Sequence, residues 1–158
     1  MKILLGLLLG IMSISAQATA ISESQAISVL KGDAVKSTAT QNLFTNGFFS
    51  KKAFAHDAES YRGYYFPQKP LTFFNYNVIA LDVPHVSIDV GCCVLAQNSF
   101  ILVGTTSSSI DGLESFAKKH QCTVSDYHGA IGDIADPVAV RLVKSWNTTY
   151  FTSIKCGR

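Results

Sequence analysis

Apolar and polar residues alternate most regularly in the middle of the chain. In residues 86–90 every second residue is Val or Ile, and the residues between them are polar. This period of two is typical of a β-strand that lays one face on a core. Strand-forming runs cover residues 71–81, 85–96 and 100–104, with short breaks between them. The pattern predicts an antiparallel meander of three or more strands at the centre of the fold.

Helical periodicity is clearest in residues 110–120. Acidic residues stand in the first turns and lysines in the last, and the predicted buried stripe is Ile110, Leu113, Phe116 and Ala117. A first helix is predicted over residues 21–36, where Ser22 and Gln25 fit a capping box. Residues 138–146 fit either a helix or a strand, so the chain should hold two or three helices.

Turn-forming residues and short apolar runs complete the predicted fold. Asn46-Gly47 lies between aromatic pairs and predicts a β-hairpin. Two further strands are predicted over residues 122–127 and 150–156. The expected fold class is therefore α+β, with a mostly antiparallel sheet.

The first twenty residues have the pattern of a secretory signal peptide. Lys2 precedes an apolar run, and both Ala16-Gln17-Ala18 and Ala18-Thr19-Ala20 fit the small-x-small rule for cleavage. The apolar run is shorter than the roughly 20 residues that a membrane-spanning helix needs. We therefore expect residues 1–20 to be removed after Ala20, and residues 21–158 to form one periplasmic or secreted domain without stable membrane insertion.

The charge of the chain is close to balanced. Its formal net charge is +2, and no run of basic residues is longer than two. Nucleic-acid-binding domains usually carry a clustered basic surface, so binding to nucleic acid is not expected.

Four cysteines lie after the predicted signal peptide: Cys92, Cys93, Cys122 and Cys156. An even number of cysteines in an exported chain predicts structural disulfides. Adjacent cysteines bridge to each other only in a strained ring, so Cys92 and Cys93 are each expected to pair with Cys122 or Cys156, in either order. Structural zinc sites draw their ligands from closely spaced cysteine pairs, which this chain lacks, so no metal is predicted.

Aromatic residues are concentrated between Phe44 and Tyr76. In the middle of this region, residues 61–67 also contain glycine and proline, which predicts a loop. Tyrosines in a loop offer large amphipathic contact areas, whereas the phenylalanines are expected mainly in the core. The residues predicted to contact a partner protein are Tyr61, Arg62, Tyr64, Tyr65 and Phe66.

Histidines offer an alternative, catalytic interpretation. His56 and His128 both lie in predicted loops, and a histidine pair can act as general base and acid near neutral pH. No named catalytic motif and no cofactor-binding motif is found in the sequence. The leading hypothesis is an exported binding protein that recognises or inhibits another envelope protein. The alternatives are a small secreted hydrolase that uses His56 and His128, and an accessory component of an envelope assembly.

Overall fold

The protein is described here by a computed structural model. It describes residues 17–32, 37–57, 62–84, 97–105, 110–126, 144, 146 and 151–157. Three helices are present in these ranges: α1 (Glu23–Leu30), α2 (Thr38–Thr45) and α3 (Ile110–His120). The strands in the same ranges are β1 (Thr19–Ala20), β2 (Ala55–Asp57), β3 (Arg62–Tyr65), β4 (Leu71–Phe73), β5 (Tyr76–Pro84), β6 (Ser99–Val103), β7 (Cys122–Asp126) and β8 (Thr152–Cys156).

The strands form one mixed sheet in the order β1-β4-β5-β6-β8-β7. Strand β5 is long enough to pair with both β4 and β3, and β2 pairs with β3. The β1–β4 pair is parallel, whereas the other pairs are antiparallel. The predicted α+β class is confirmed, but the sheet is more than an antiparallel meander. Strand β5 pairs directly with β6, and the strand predicted over residues 85–96 lies outside the described residues.

Helix α3 begins at the predicted residue, and α1 begins directly after its predicted cap, Ser22. Ser22 caps α1 through its hydroxyl, and Gln25 returns its side chain to the Ser22 backbone, which is the predicted capping box. Helix α1 ends at Leu30, earlier than predicted. Helix α3 has the predicted bounds, but Ile110 is 53% exposed and does not belong to the buried stripe.

Asn46 and Gly47 end a helix and do not form the predicted hairpin. They follow α2, and Gly47 has a φ of +66° that suits glycine. The Phe48 amide donates to the Leu43 carbonyl and the Gly47 amide donates to the Phe44 carbonyl. This pair of hydrogen bonds is the Schellman motif, which satisfies carbonyls at a helix C-terminus. The hairpin prediction is wrong because the same dipeptide suits both structures.

Apolar side chains are buried on both faces of the sheet. The larger core joins α1, α2 and α3 to one face and contains Phe49, Phe73 and Phe100. A smaller cluster around Ile79 and Ile101 occupies the other face. Since both faces are covered, β5 is buried along almost its whole length.

The ends of β7 and β8 are joined by a disulfide between Cys122 and Cys156. The two residues lie directly opposite each other in the antiparallel register. The predicted disulfide bonding is confirmed, but the predicted pairing with Cys92 and Cys93 is wrong because Cys122 and Cys156 bond to each other. Cys92 and Cys93 lie outside the described residues.

Candidate functional site

The aromatic segment predicted to be a contact loop is part of the sheet. Arg62–Tyr65 is strand β3, and Tyr61 lies outside the described residues. Tyr64 and Tyr65 are only 6% and 4% exposed. Successive strand residues point to opposite faces, so Tyr64 packs in the smaller cluster and Tyr65 in the larger core. The loop prediction is wrong, and these two rings are not available as an open surface.

The neighbouring aromatic rings support this placement. Tyr65 lies against Phe44, with ring centroids 4.8 Å apart. Phe66 stacks on Phe54 with a centroid separation of 3.6 Å. Burial raises the pKa of Tyr65 above its ordinary value, because the charged phenolate is poorly solvated in the core.

Arg62 belongs to a polar network that joins three strands. Its Nε donates to Asp82 Oδ1 over 2.6 Å, and its Nη2 donates to the Gln97 carbonyl over 2.7 Å. Ser99 donates to the second carboxylate oxygen of Asp82 over 2.8 Å. Asp82 is 6% exposed, so its charge is stabilised mainly by these contacts. Arg62 therefore links β3, β5 and the start of β6, so its role in the fold is structural.

The structure does not test the pair of histidines proposed to be catalytic. His56 lies in β2, and His128 lies outside the described residues. The hydrolase hypothesis therefore stays a prediction. His120, at the end of α3, has its ring against Phe116, and its Nε2 is 3.9 Å from Glu23 Oε2.

The described parts of the chain contain neither a candidate metal site nor a membrane-spanning helix. No group of three or more His, Cys, Asp or Glu residues there is arranged to hold a metal ion. None of the helices in those parts is long and apolar enough to span a bilayer.

Two large hydrophobic side chains are exposed among the residues that the structure describes, namely Ile110 and Trp146. Each one lines a different concavity. The first, of about 430 Å³, lies between α3 and the β7–β8 pair and includes Glu114 and Asp126 beside Ile110. Its lining is partly acidic, which does not favour the burial of an apolar ligand.

The second concavity is a groove of about 290 Å³ beside β4. We call it the Trp146 groove, and its lining is formed by Pro67, Gln68, Lys69, Pro70, Leu71, Asn77, Val78 and Trp146. Two prolines, an indole and two aliphatic side chains give it a mainly apolar surface. Lys69 at its rim places its ammonium 4.9 Å from the centre of the Phe48 ring, in a cation–π contact.

Sequence reasoning missed Trp146 as a functional candidate. It is the single tryptophan of the chain, and it lies in a segment that fits either a helix or a strand. In the structure Trp146 has helical backbone and is 38% exposed. Tryptophan is enriched among the residues that dominate binding between proteins, so the single tryptophan of the chain was a sequence signal for a binding site.

Comparisons with protein families, with curated proteins and with solved structures gave no match to this chain. The function proposed below therefore rests on the surface of the molecule and on its sequence.

Proposed function

We propose that this protein is exported and binds another protein of the cell envelope through the Trp146 groove. The observation that carries the proposal is the half-exposed indole of Trp146 in an apolar groove with Pro67 and Pro70. A large aromatic side chain left in water is costly unless a ligand covers it, and such residues dominate the free energy of many protein interfaces.

Export is supported by two independent features. The first is the signal-like pattern of residues 1–20. The second is the Cys122–Cys156 disulfide, since disulfides persist mainly in oxidising compartments such as the periplasm or the exterior of the cell. A domain with a disulfide-linked sheet edge and two buried faces is a rigid support on which a binding groove can keep its shape.

The groove replaces the tyrosine surface as the proposed contact region. Tyr64 and Tyr65 contribute to the core, whereas Trp146, Gln68 and Lys69 all reach solvent. The amide of Gln68 and the ammonium of Lys69 can form hydrogen bonds at the rim while the apolar floor excludes water. An apolar centre with a polar rim is the usual anatomy of a protein interface.

Affinity capture with matched variants tests this function. Tagged wild-type protein, Trp146→Ala and Ile110→Ala are expressed in the native host, cross-linked and purified, and the retained proteins are quantified by mass spectrometry. We expect at least one envelope protein to be retained by the wild type and by Ile110→Ala, and to be lost with Trp146→Ala. Truncation of a hot-spot tryptophan costs about 2 kcal/mol or more, which weakens binding roughly 30-fold.

Ile110→Ala is the matched control because it removes the other exposed hydrophobic side chain, in the separate concavity. Equal retention of every protein by the two variants means that the Trp146 groove is not the binding surface. Unchanged unfolding temperatures for both variants are required, so that a loss of binding is not a loss of folding.

A further inference from the structure

Strand β1 pairs with the free edge of β4 through backbone hydrogen bonds. It runs parallel to β4, with Thr19 opposite Leu71 and Ala20 opposite Thr72. The Thr19 amide donates to the Pro70 carbonyl over 2.9 Å, and the Ile21 amide donates to the Thr72 carbonyl over 2.8 Å. Thr19 and Ala20 are both exposed, so β1 is held by its backbone and not by buried side chains.

Both residues of β1 belong to the predicted signal peptide. Hydrolysis after Ala20 adds water across the Ala20–Ile21 peptide bond, which leaves a carboxylate on Ala20 and an α-ammonium on Ile21. The released segment takes β1 with it, and the edge of β4 then loses the donor to the Pro70 carbonyl. Ile21 remains, because its side chain is 8% exposed and packs in the larger core.

The uncovered edge adjoins the Trp146 groove. Pro70 and Leu71 line the groove, and they also meet β1: the Pro70 carbonyl accepts from the Thr19 amide, and Leu71 lies opposite Thr19. In the parallel direction, the residues that precede Thr19 run towards Lys69 and Gln68. Gln17 and Ala18 are exposed there and do not line the groove. The segment seen on the edge therefore leaves the neighbouring apolar groove unfilled.

We propose that the mature protein binds the extended C-terminal tail of a partner polypeptide at the β4 edge, in place of β1. The tail pairs in parallel with Leu71 and Thr72, as Thr19 and Ala20 do. Its terminal carboxylate faces the α-ammonium of Ile21, at the place where the Ala20–Ile21 peptide bond lies before cleavage. An apolar side chain one or two residues before the paired stretch fills the Trp146 groove. This inference rests on the proposed function and adds the chemistry of the ligand to it.

A C-terminal tail suits this site better than an internal strand does. Ile21 still donates to the Thr72 carbonyl and its side chain fills part of the core, so a strand that continued past the position of Ala20 would meet it. A chain that stops at that position avoids the collision and gains a charge-assisted hydrogen bond. Addition of a strand to an open sheet edge and capture of a terminal carboxylate are both established ways to bind peptides.

The described C-terminal strand of a second copy is a poor candidate for this occupant. Cys156 is fully buried, bonded to Cys122 and paired in the sheet, and the Gly157 amide donates to the Gln121 carbonyl. These described residues of a second copy are therefore not free to pair with the β4 edge of another molecule.

The released segment itself supplies the probe. A nonapeptide of residues 12–20 with a free C-terminal carboxylate is titrated into the mature protein that begins at Ile21. Binding is followed by NMR through the backbone amides of Leu71 and Thr72. We expect saturable shifts at these two amides, and binding at least tenfold weaker for the same peptide with an amidated C-terminus. Protein that begins at Thr19 keeps its own β1 and should bind neither peptide.

The groove is tested with two altered peptides, one carrying Gln17→Phe and the other Ala18→Phe. We expect one of them to bind at least fivefold tighter than the parent peptide and to shift the fluorescence of Trp146, the single tryptophan of the chain. The gain should disappear in Trp146→Ala protein, which still binds the parent peptide.

Several results overturn the inference without deciding the proposed function. A mature N-terminus at Thr19 in protein from the native host means that β1 is retained. Equal binding of the acid and amide peptides removes the role of the carboxylate. Concentration-dependent dimers that the peptide does not dissociate mean that the edge pairs with a second copy. If any of these results is obtained, the proposed binding of a C-terminal tail is wrong. The proposed function still holds if a partner is captured by the wild type and lost with Trp146→Ala.

Discussion

Arg62 Nε lies 2.6 Å from Asp82 Oδ1, and this ion pair joins β3 to β5 at the edge of the core. The side chains of Arg62 and Asp82 are 17% and 8% exposed. The Asp82 carboxylate also accepts from Ser99, so its charge depends on protein groups more than on water.

Replacement of Arg62 by Met should lower the free energy of unfolding by about 3 kcal/mol. Removal of one partner leaves the other charge buried and unpaired, which costs about 3–5 kcal/mol in buried pairs. We expect the lower end of this energy range because the Arg62 side chain keeps some contact with solvent. Urea unfolding at pH 7 measures the effect.

The exposed pair between Lys119 and Glu23 provides the matched control for this experiment. Its atoms are 3.1 Å apart, but its side chains are 65% and 49% exposed. Replacement of Lys119 by Met should cost less than about 1 kcal/mol, as is usual for surface pairs. Equal costs for the two substitutions would show that Arg62 is not the structural link described here.

The disulfide pairing can be read from a tryptic digest without reduction. Trypsin places Cys122 in the peptide 120–141 and Cys156 in the peptide 156–158, while Cys92 and Cys93 share the peptide 63–118. We expect peptides 120–141 and 156–158 to be linked to each other. A link from either of them to peptide 63–118 contradicts the pairing in the structure.

Replacement of both Cys122 and Cys156 by Ala should destabilise the protein by about 3–4 kcal/mol. The two residues are 34 positions apart, and a loop of that size gives this loss in the chain-entropy description of a disulfide. Urea unfolding of the double variant beside the oxidised wild type measures the difference. A difference below about 1 kcal/mol would mean that the bond does not constrain the unfolded chain.

Asn98 links the first two helices to the sheet from a fully buried position. Its Nδ2 donates to the Val29 carbonyl over 2.7 Å and to Thr40 Oγ1 over 3.1 Å. Asn98→Ala removes both bonds and should cost about 2 kcal/mol, since each intramolecular hydrogen bond contributes about 1 kcal/mol to stability. Asn42→Ala, on the exposed face of α2, should leave the stability almost unchanged. Similar costs in thermal unfolding of the two variants would be inconsistent with this role.

The helix starts that the sequence predicts correctly depend on residues that are close together along the chain. The Ser22–Gln25 capping box and the charge pattern of α3 act within one or two turns, and both helices begin as expected. Asn46-Gly47 is also local, but the dipeptide suits a hairpin and a helix end equally well. Asn46-Gly47 ends a helix because the residues before it are helical. Those residues are mostly polar and show only weak helical periodicity, so the sequence does not predict that helix.

The failed predictions involve residues that are distant in sequence. Tyr64 and Tyr65 are both buried because the sheet is covered on both faces, which period-two alternation in one strand cannot reveal. The Cys122–Cys156 bond depends on β8 returning beside β7 in a register that places the two cysteines opposite each other. The Trp146 groove likewise combines residues 67–71 with a tryptophan far along the chain.

Alkaline pH should destabilise the protein through Tyr65. Burial raises the pKa of Tyr65 in the folded state above the value near 10 that it has in the unfolded chain. This contribution to stability is fully present below about pH 10 and is lost as the pH rises through the folded-state pKa. In urea unfolding between pH 8 and pH 11, Tyr65→Phe should lose less stability than the wild type does. Parallel losses in the two proteins would contradict the assignment to Tyr65.

The central claim is that the partner lies on the Trp146 groove, and a photo-reactive side chain at that position tests it most directly. Benzoylphenylalanine is placed at position 146 in one variant and at position 110 in another, and each is irradiated in living cells of the native host. We predict a discrete covalent adduct with one envelope protein from position 146 and none from position 110. No adduct from position 146, or the same adducts from both positions, would contradict the account.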